Sequence, residues 1–384
     1  ARQAARRVPD RMTSFQTLHF PLPPTGAGAS HQITAFRYGT EGARPKAYIQ
    51  AGLHADEFPG MLALHILRPM LERAAERGLI TGEILILPQA NPLGLTQHPN
   101  GFLYGRHEAE SGENFNRAYP DLAEKLGDLS GLGQDAAQNV ALIREAMGKA
   151  LAAMKPRKAL TAMRHQLMSL AYDADLVLDL HADNQALTHM YTGTPLWPDA
   201  ADIAAEIDAR AILLAEVSGG NPFDEALSGP WWALARSHPE AAIPPACLAA
   251  TLELGSNDDV DMEQARDQAA ALYRILERRG LIAGEPRALP ALQAQATDLT
   301  AMSQIKAPVL GLVAYRRRLG DSVRAGEVVA EIINPLGETV EVLAETDGLL
   351  FARHSQPYAW RGKVIGKIAG NEVLETRKGA LLTD

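Results

Sequence analysis

Between residues 45 and 280, short apolar runs alternate with longer segments of helical periodicity, and no other feature restricts the fold as strongly. Strand-like runs occupy residues 46–51, 83–88, 176–181, 189–193, 212–217 and 249–254. Helix-like segments occupy residues 60–77, 134–154, 157–173, 199–209 and 262–279. Strands separated by helices return by crossovers rather than tight hairpins. The expected class is therefore α/β, with a mainly parallel, helix-flanked sheet. The runs are apolar almost throughout, as strands covered on both faces must be.

The pattern changes near the C-terminal end. Residues 286–307, rich in Ala, Leu and Gln and carrying Pro290, read as a connector. Beyond Pro308 only short strand-like runs remain, at 309–315, 327–333, 339–344, 348–352 and 363–368, parted by Gly320-Asp321, Asn334-Pro-Leu-Gly337 and Asp347-Gly348. Strands punctuated this regularly predict a small all-β barrel-sandwich-like domain over 308–384. Residues 1–44 read as an N-terminal segment with the first strands, and 45–285 as the α/β domain.

Composition removes some functions. A net charge of −9 and a pI near 5.7 disfavour nucleic acid or an anionic membrane as partner. Arg316-Arg317-Arg318 reads as a solvated strand edge or hairpin. Apolar runs fall short of the roughly eighteen residues of a membrane span. Cys247 is the single cysteine, so no internal disulfide forms, and its apolar surroundings read as the start of a buried strand. Residues 1–11 are basic but lack an apolar core and read as a vector remnant before Met12. The expected location is cytoplasmic.

The chemistry begins at His54-Ala-Asp-Glu57, lodged between a strand and a helix start marked by Pro59-Gly60. A His-x-x-Glu pair is common on helix surfaces, but at a strand end it sits where open α/β sheets place their ligands. Imidazole and carboxylate both ligate zinc, and a catalytic zinc takes three protein ligands and keeps one position open. The third candidate is His181, which ends the strand-like run 176–181. Glu253, in Thr251-Leu-Glu-Leu-Gly255, is a strand-end acid suited to accept a proton from water and return it to a leaving amine. Arg106 and Asn116-Arg117 add guanidinium groups, which grip carboxylates bidentately and stabilise developing oxyanions. Asn91-Pro92-Leu-Gly94 reads as a structural turn. Trp231-Trp232, with residues 227–230, falls in a loop that either lines the pocket or packs on a neighbouring helix.

In this order the motifs resemble those of the succinylglutamate desuccinylase/aspartoacylase family, a branch of the zinc carboxypeptidase clan. They are Gly-x-His-x-x-Glu, Asn-Pro-x-Gly, Arg…Asn-Arg, Asp-x-His and Thr-x-Glu-x-Gly, and the resemblance covers roughly residues 45 to 280. It implies a zinc-carboxypeptidase type of sheet, with one zinc ion per chain on His54, Glu57 and His181. It further implies Glu253 as catalytic acid–base, Arg106 polarising the scissile carbonyl, and Asn116 with Arg117 holding a substrate carboxylate. Ala55 stands where many relatives have glycine, which is tolerable if its φ is negative. The tail resembles biotinyl/lipoyl-type barrel-sandwich domains. The hairpin at 333–338 has no lysine to modify, so shielding the active-site entrance is the expected role.

The reading is thus a zinc-dependent amidohydrolase that deacylates a small N-acylated amino acid or related amide. A zinc carboxypeptidase acting on peptide C-termini is the alternative enzyme, and a non-catalytic zinc-binding protein the alternative of another class. The expected partner is the small-molecule substrate, with no nucleic acid and no membrane; a homo-oligomer is left open.

Overall fold

The computed structural model describes residues 15–377, 379, 381 and 382. Residues 1–11 and Met12 lie outside them. The chain enters through a hairpin, β1 (Phe15–Pro21) and β2 (Gln32–Gly39), followed by β3 (Lys46–Ala51), α1 (Pro59–Glu76) and β4 (Glu83–Leu87). Helices α2 (Ala136–Ala153) and α3 (Ala159–Ala171) lead to β5 (Leu176–Asp183), β6 (Gln185–Ala186) and β7 (His189–Thr192). Then come α4 (Ala201–Glu206), β8 (Ile212–Leu214), α5 (Phe223–Ser237), β9 (Leu248–Ser256), α6 (Met262–Arg278) and β10 (Ala296–Asp298).

These strands form one sheet in the order β1-β2-β4-β3-β5-β9-β7-β8-β10. The sheet is mainly parallel, as expected, with antiparallel pairings at its flanks. Its centre, β4-β3-β5-β9, is parallel, whereas β2 runs against β4 and β7 against β9. Loop length explains this. A parallel return needs a crossover of a dozen or more residues, and only residues 184–188 separate β5 from β7. β7 must therefore run the other way, with β8 and β10 parallel to it.

Side chains alternate between two covered faces. Ile49, Leu178, Leu252 and Ile86 pack with Leu64 of α1 and Leu272 of α6. Tyr48, Val177 and Ala249 pack on the other side with Met163 of α3 and Phe223 and Trp231 of α5. Each large apolar side chain so buried contributes roughly 1.5–3 kcal/mol. α5 is the element that the sequence reading missed. Gly229 and Pro230 read as breakers, so Trp231-Trp232 was expected in a loop. Instead Phe223, Leu227, Trp231 and Leu234, at helical spacing, enter the core together and carry the helix through the proline. Cys247 is buried just ahead of β9, as expected.

Residues 286–307 do more than connect. β10 joins the large sheet beside β8, and β11 (Met302–Lys306) opens the next one. The remaining strands are β12 (Gly311–Tyr315), β13 (Ser322–Val323), β14 (Val328–Ile333), β15 (Thr339–Leu343), β16 (Gly348–Arg353), β17 (Tyr358–Ala359) and β18 (Val364–Gly370). They build two antiparallel sheets, β11-β18-β16-β13 and β15-β14-β12-β17, around one apolar core that includes Ile305, Val313, Ile332, Val342 and Ile368. Arg316 and Arg317 follow β12 and pair with Glu331 and Glu327 at the surface. β6, just past His181, pairs antiparallel with β16 and ties this sheet to the large one. Among the described residues no helix is long and apolar enough to cross a membrane.

Candidate active site

The parallel centre of the sheet brings the chemistry together. β3 and β5 are neighbours with Ala51 opposite Leu180, so their carboxyl ends finish at one edge. His54 follows the first, and His181 lies near the end of the second, two residues before Asp183. Glu57 reaches the same point from the turn before Pro59 starts α1. β9 lies on the far side of β5 with Glu253 directly opposite His181. Four residues scattered over two hundred positions thus share one sheet edge, where open α/β sheets bind ligands.

His54 Nδ1 lies 2.9 Å from Glu57 Oε1, and His181 Nδ1 lies 2.7 Å from Glu57 Oε2. All three residues are buried, and their donor atoms fall within 4.8 Å of one another. The outer nitrogens are held elsewhere. His54 Nε2 is 2.9 Å from Asn114 Oδ1, and His181 Nε2 is 3.0 Å from Asp179 Oδ2 and 3.3 Å from Asn116 Nδ2. Engaging the outer nitrogen fixes which ring atom is free to ligate, so both Nδ1 atoms converge on the carboxylate. Two imidazole nitrogens and a carboxylate oxygen are a donor set that suits a transition-metal cation. Glu253 Oε2, buried and without a hydrogen-bond partner one strand away, marks the place of a missing polar neighbour.

Charge is divided unevenly over this group. Burial lowers the His54 imidazole to about 4, against the pull of Glu57. Burial also acts on His181, but Asp179 and Glu57 outweigh it and hold that ring well above its ordinary value. Glu57, buried between two imidazoles, is held well below the usual carboxylate range. Glu253 is pushed up to about 8 by burial first and by Glu57 and Asp183 next, with His181 and Lys367 opposing. A carboxyl raised this way keeps its proton near neutrality until a nearby cation draws it off.

Arg106 Nη1 lies 3.2 Å from His54 Nδ1 and 3.4 Å from Glu57 Oε1, within the cluster itself. Gly105 lets it approach, since a Cβ there would lie 2.2 Å from the Asp56 nitrogen. Arg117 Nη1 donates to the Asn116 carbonyl at 2.8 Å, and its side chain lies against Gly220, where a Cβ would meet Arg117 Cδ at 2.5 Å. Asn116 Oδ1 accepts from Phe223 N at 2.9 Å, joining the site to the first turn of α5. Asn91 is the structural turn expected of it: Nδ2 donates to the Leu53 carbonyl and Oδ1 accepts from Gly94 N, both at 2.8 Å. It thereby fixes the backbone just before His54. Ala55 is absent from the positive-φ positions among the described residues, as its side chain requires.

Three contributors escaped the sequence reading. Asn114 sits beside Asn116-Arg117 with no signal of its own. Asp179 lies in Asp-x-His, where spacing alone gives it no role. Gln50, whose Nε2 donates to Asp179 Oδ1 at 3.0 Å and whose Oε1 accepts from Tyr48 at 2.7 Å, left a signal: an amide inside an otherwise apolar buried strand.

The cluster opens into a cavity of about 700 Å³. His54, Glu57, Arg106, Arg117, His181 and Glu253 line one part of it. Gln304, Lys306, Arg353, Trp360, Lys363 and Lys367 line another, so the C-terminal sheets wall the same space. Lys367 pairs with Asp183, two residues beyond His181.

Residues 43–155 match the sequence model of the Succinylglutamate desuccinylase/Aspartoacylase catalytic domain. A succinylglutamate desuccinylase / aspartoacylase family protein from Shewanella amazonensis SB2B superposes with a TM-score of 0.79 at 26% identity, covering 92% of this chain and 98% of that one. Over residues 43–155 the chain matches the catalytic domain of the succinylglutamate desuccinylase/aspartoacylase family, and its fold resembles that of a solved family protein. A second family structure, from Shewanella frigidimarina NCIMB 400, gives a TM-score of 0.79 at 25% identity and covers 94% of this chain and 98% of that one. N-alpha-acetyl-L-2,4-diaminobutyric acid deacetylase of Halomonas elongata is 24% identical over 352 residues, which span 87% of this chain and 84% of the relative.

Proposed function

We propose that this protein is a zinc-dependent hydrolase that cleaves the amide bond of an N-acylated amino acid or related small carboxylate-bearing amide, releasing an amine and a carboxylic acid. The observation that carries the reading is the buried His54–Glu57–His181 group with Glu253 opposite His181 on one wall of the cavity. The deacetylase relative supports the reaction class. His54, Glu57 and His181 hold the metal. Zinc bound there supplies Lewis-acid polarisation of a carbonyl and acidifies water from about 15.7 towards roughly 7 in favourable sites.

The protein's own residues do the rest. Glu253 accepts the proton of the attacking water and delivers it to the departing nitrogen, so one carboxyl serves as base and then acid. Arg106, beside His54 and Glu57, stabilises negative charge on the former carbonyl oxygen; one such donor is worth about 3–4 kcal/mol in known cases. Arg117, braced by Asn116 and Gly220, grips the substrate carboxylate. The C-terminal sheets, with turns like those of barrel-sandwich modules, wall the cavity, and this favours small substrates over the peptides a carboxypeptidase would take.

The test is primary-amine release from a panel of N-acetyl and N-succinyl amino acids and short peptides, using zinc-loaded protein beside the Glu253→Gln variant. Release from acylated amino acids that falls by 10²–10⁴-fold in the variant, with zinc retained, is the expected result. Release from peptides alone would replace the deacylase by a carboxypeptidase, and full activity in the variant would remove Glu253 from the mechanism.

A further inference from the structure

The cavity extends much further than an acetyl group requires, and strand register shows where it goes. Residues directly opposite each other on paired strands point to the same face of the sheet. Asp179 of β5 is opposite Thr251 of β9, Thr251 is opposite Tyr191 of β7, and Tyr191 is opposite Leu213 of β8. This row lies beside His181 and Glu253, which share its face two residues further along β5 and β9. Thr251, Tyr191 and Leu213 all line the cavity. At about 4.8 Å per strand, the floor from β5 to β8 is about 14 Å long.

The far end of that floor is hydrocarbon. Leu213 belongs to a buried cluster with Tyr191 and Leu299, against which Ala215 and Leu382 pack, and all five line the cavity. Leu382 comes from near the C-terminal end. The backbone N–H groups of Leu381 and Leu382 donate to the Ser218 carbonyl at 2.7 and 3.1 Å and hold that segment across the end of the lobe. Several polar groups bordering the lobe have partners, while Ser218 Oγ and Arg377 Nε are buried without one. Asp183 is paired with Lys367, the Ser218 N–H is bound by Glu225, and Arg377 donates to the Leu381 carbonyl. A substrate group reaching this end meets the carbon of Leu213, Ala215, Leu299 and Leu382 on several sides, so an apolar group is favoured there.

We propose that this lobe, floored by Tyr191 and Leu213 and closed by Ala215, Leu299 and Leu382, binds an unbranched apolar chain of the substrate, so that the preferred substrates carry a hydrocarbon extension beyond the scissile amide. The inference rests on the deacylase reading above and names its substrate class. The chain belongs either to the acyl group or to the side chain of the amine, and the test has an arm for each. Specificity is then set by how many methylenes enter before the chain meets Leu299 and Leu382. Each one that leaves water is worth about fourfold in binding, the factor given by about 0.8 kcal/mol per buried methylene.

Two measurements decide it. The first is kcat/KM for N-acetyl-, N-butanoyl-, N-hexanoyl- and N-octanoyl-alanine, beside N-acetyl derivatives of amino acids with side chains of one to six carbons. The second is calorimetric binding of N-alkyl alanines, in which a methylene replaces the carbonyl and no bond can be hydrolysed. A rise of about fourfold per methylene up to a limit, in one arm, is the expected result. Ala215→Leu, at a half-buried position, should move that limit to shorter chains, and Leu382→Ala should move it to longer ones, each with a melting temperature confirming the fold. Flat responses in both arms, or a rise that ignores both variants, overturn the lobe. Chain-length-dependent binding without hydrolysis of any N-acyl amino acid would instead overturn the deacylase reading and leave the lobe standing.

Discussion

Asp179 shows how much of the proposed metal site sits behind its ligands. Its carboxylate lies against the outer nitrogen of His181 and is itself held by Gln50. Such partners orient the ring and raise its basicity, and losing one typically costs 10–100-fold in metal affinity. Asp179→Asn should lower zinc affinity by that factor, as measured by competition with a chromogenic chelator; unchanged affinity would make Asp179 a packing residue only. Glu225 gives a pH-dependent prediction away from the ligands. Burial, and then Asp224, push its carboxyl from 4.5 up to about 7. The folded state therefore binds a proton that the unfolded chain has released. The stability contributed is full below pH 4.5 and is lost as pH rises through about 7. Denaturant midpoints from pH 4.5 to 8 should fall across this window and flatten in Glu225→Gln. At this scale the sequence was legible where a side chain's chemistry is unusual for its surroundings, as with His54, Glu57, His181 and Glu253. Asn114 was not legible, because an asparagine in a polar loop looks the same whether or not it touches a histidine.

Among the elements, α5 and β7 are instructive because local and tertiary information disagree there. α5 holds Gly229 and Pro230, and intrinsic propensity argues against a helix through them. Its existence depends on the apolar stripe that includes fully buried Trp231. Trp231→Ala should therefore destabilise the protein by about 3–5 kcal/mol, read as a shift of the denaturant midpoint. Because Asn116 Oδ1 accepts from Phe223 N at the start of α5, the loosened helix should also weaken carboxylate-bearing ligands. Helices α1, α2, α3 and α6 were placed to within a few residues, since periodicity and breakers agree there. Strand direction was not readable for β7, whose short connection forces it antiparallel although its composition matches that of its parallel neighbours.

For the whole molecule, the large sheet and the C-terminal sheets are bound together around one cavity, through β6 on β16 and Lys367 on Asp183. A ligand that binds only the folded state stabilises it by RT ln(1 + [L]/Kd), about 2.7 kcal/mol at a hundredfold excess over Kd. Zinc at that excess should raise the unfolding free energy by this amount, and His54→Ala or His181→Ala should abolish the gain. An equal gain in both variants would place the cation elsewhere.

By itself the sequence determined the α/β alternation, the all-β character of the C-terminal part, and the residue types that converge on one sheet edge, because hydrophobic period and chemical type are local properties. Tertiary structure alone decided the antiparallel flank beyond β9, the survival of α5, the partners that orient the two imidazoles and the joint lining of the cavity. These depend on loop lengths and on contacts between residues far apart in the chain, such as Asp183 with Lys367, which no local pattern encodes.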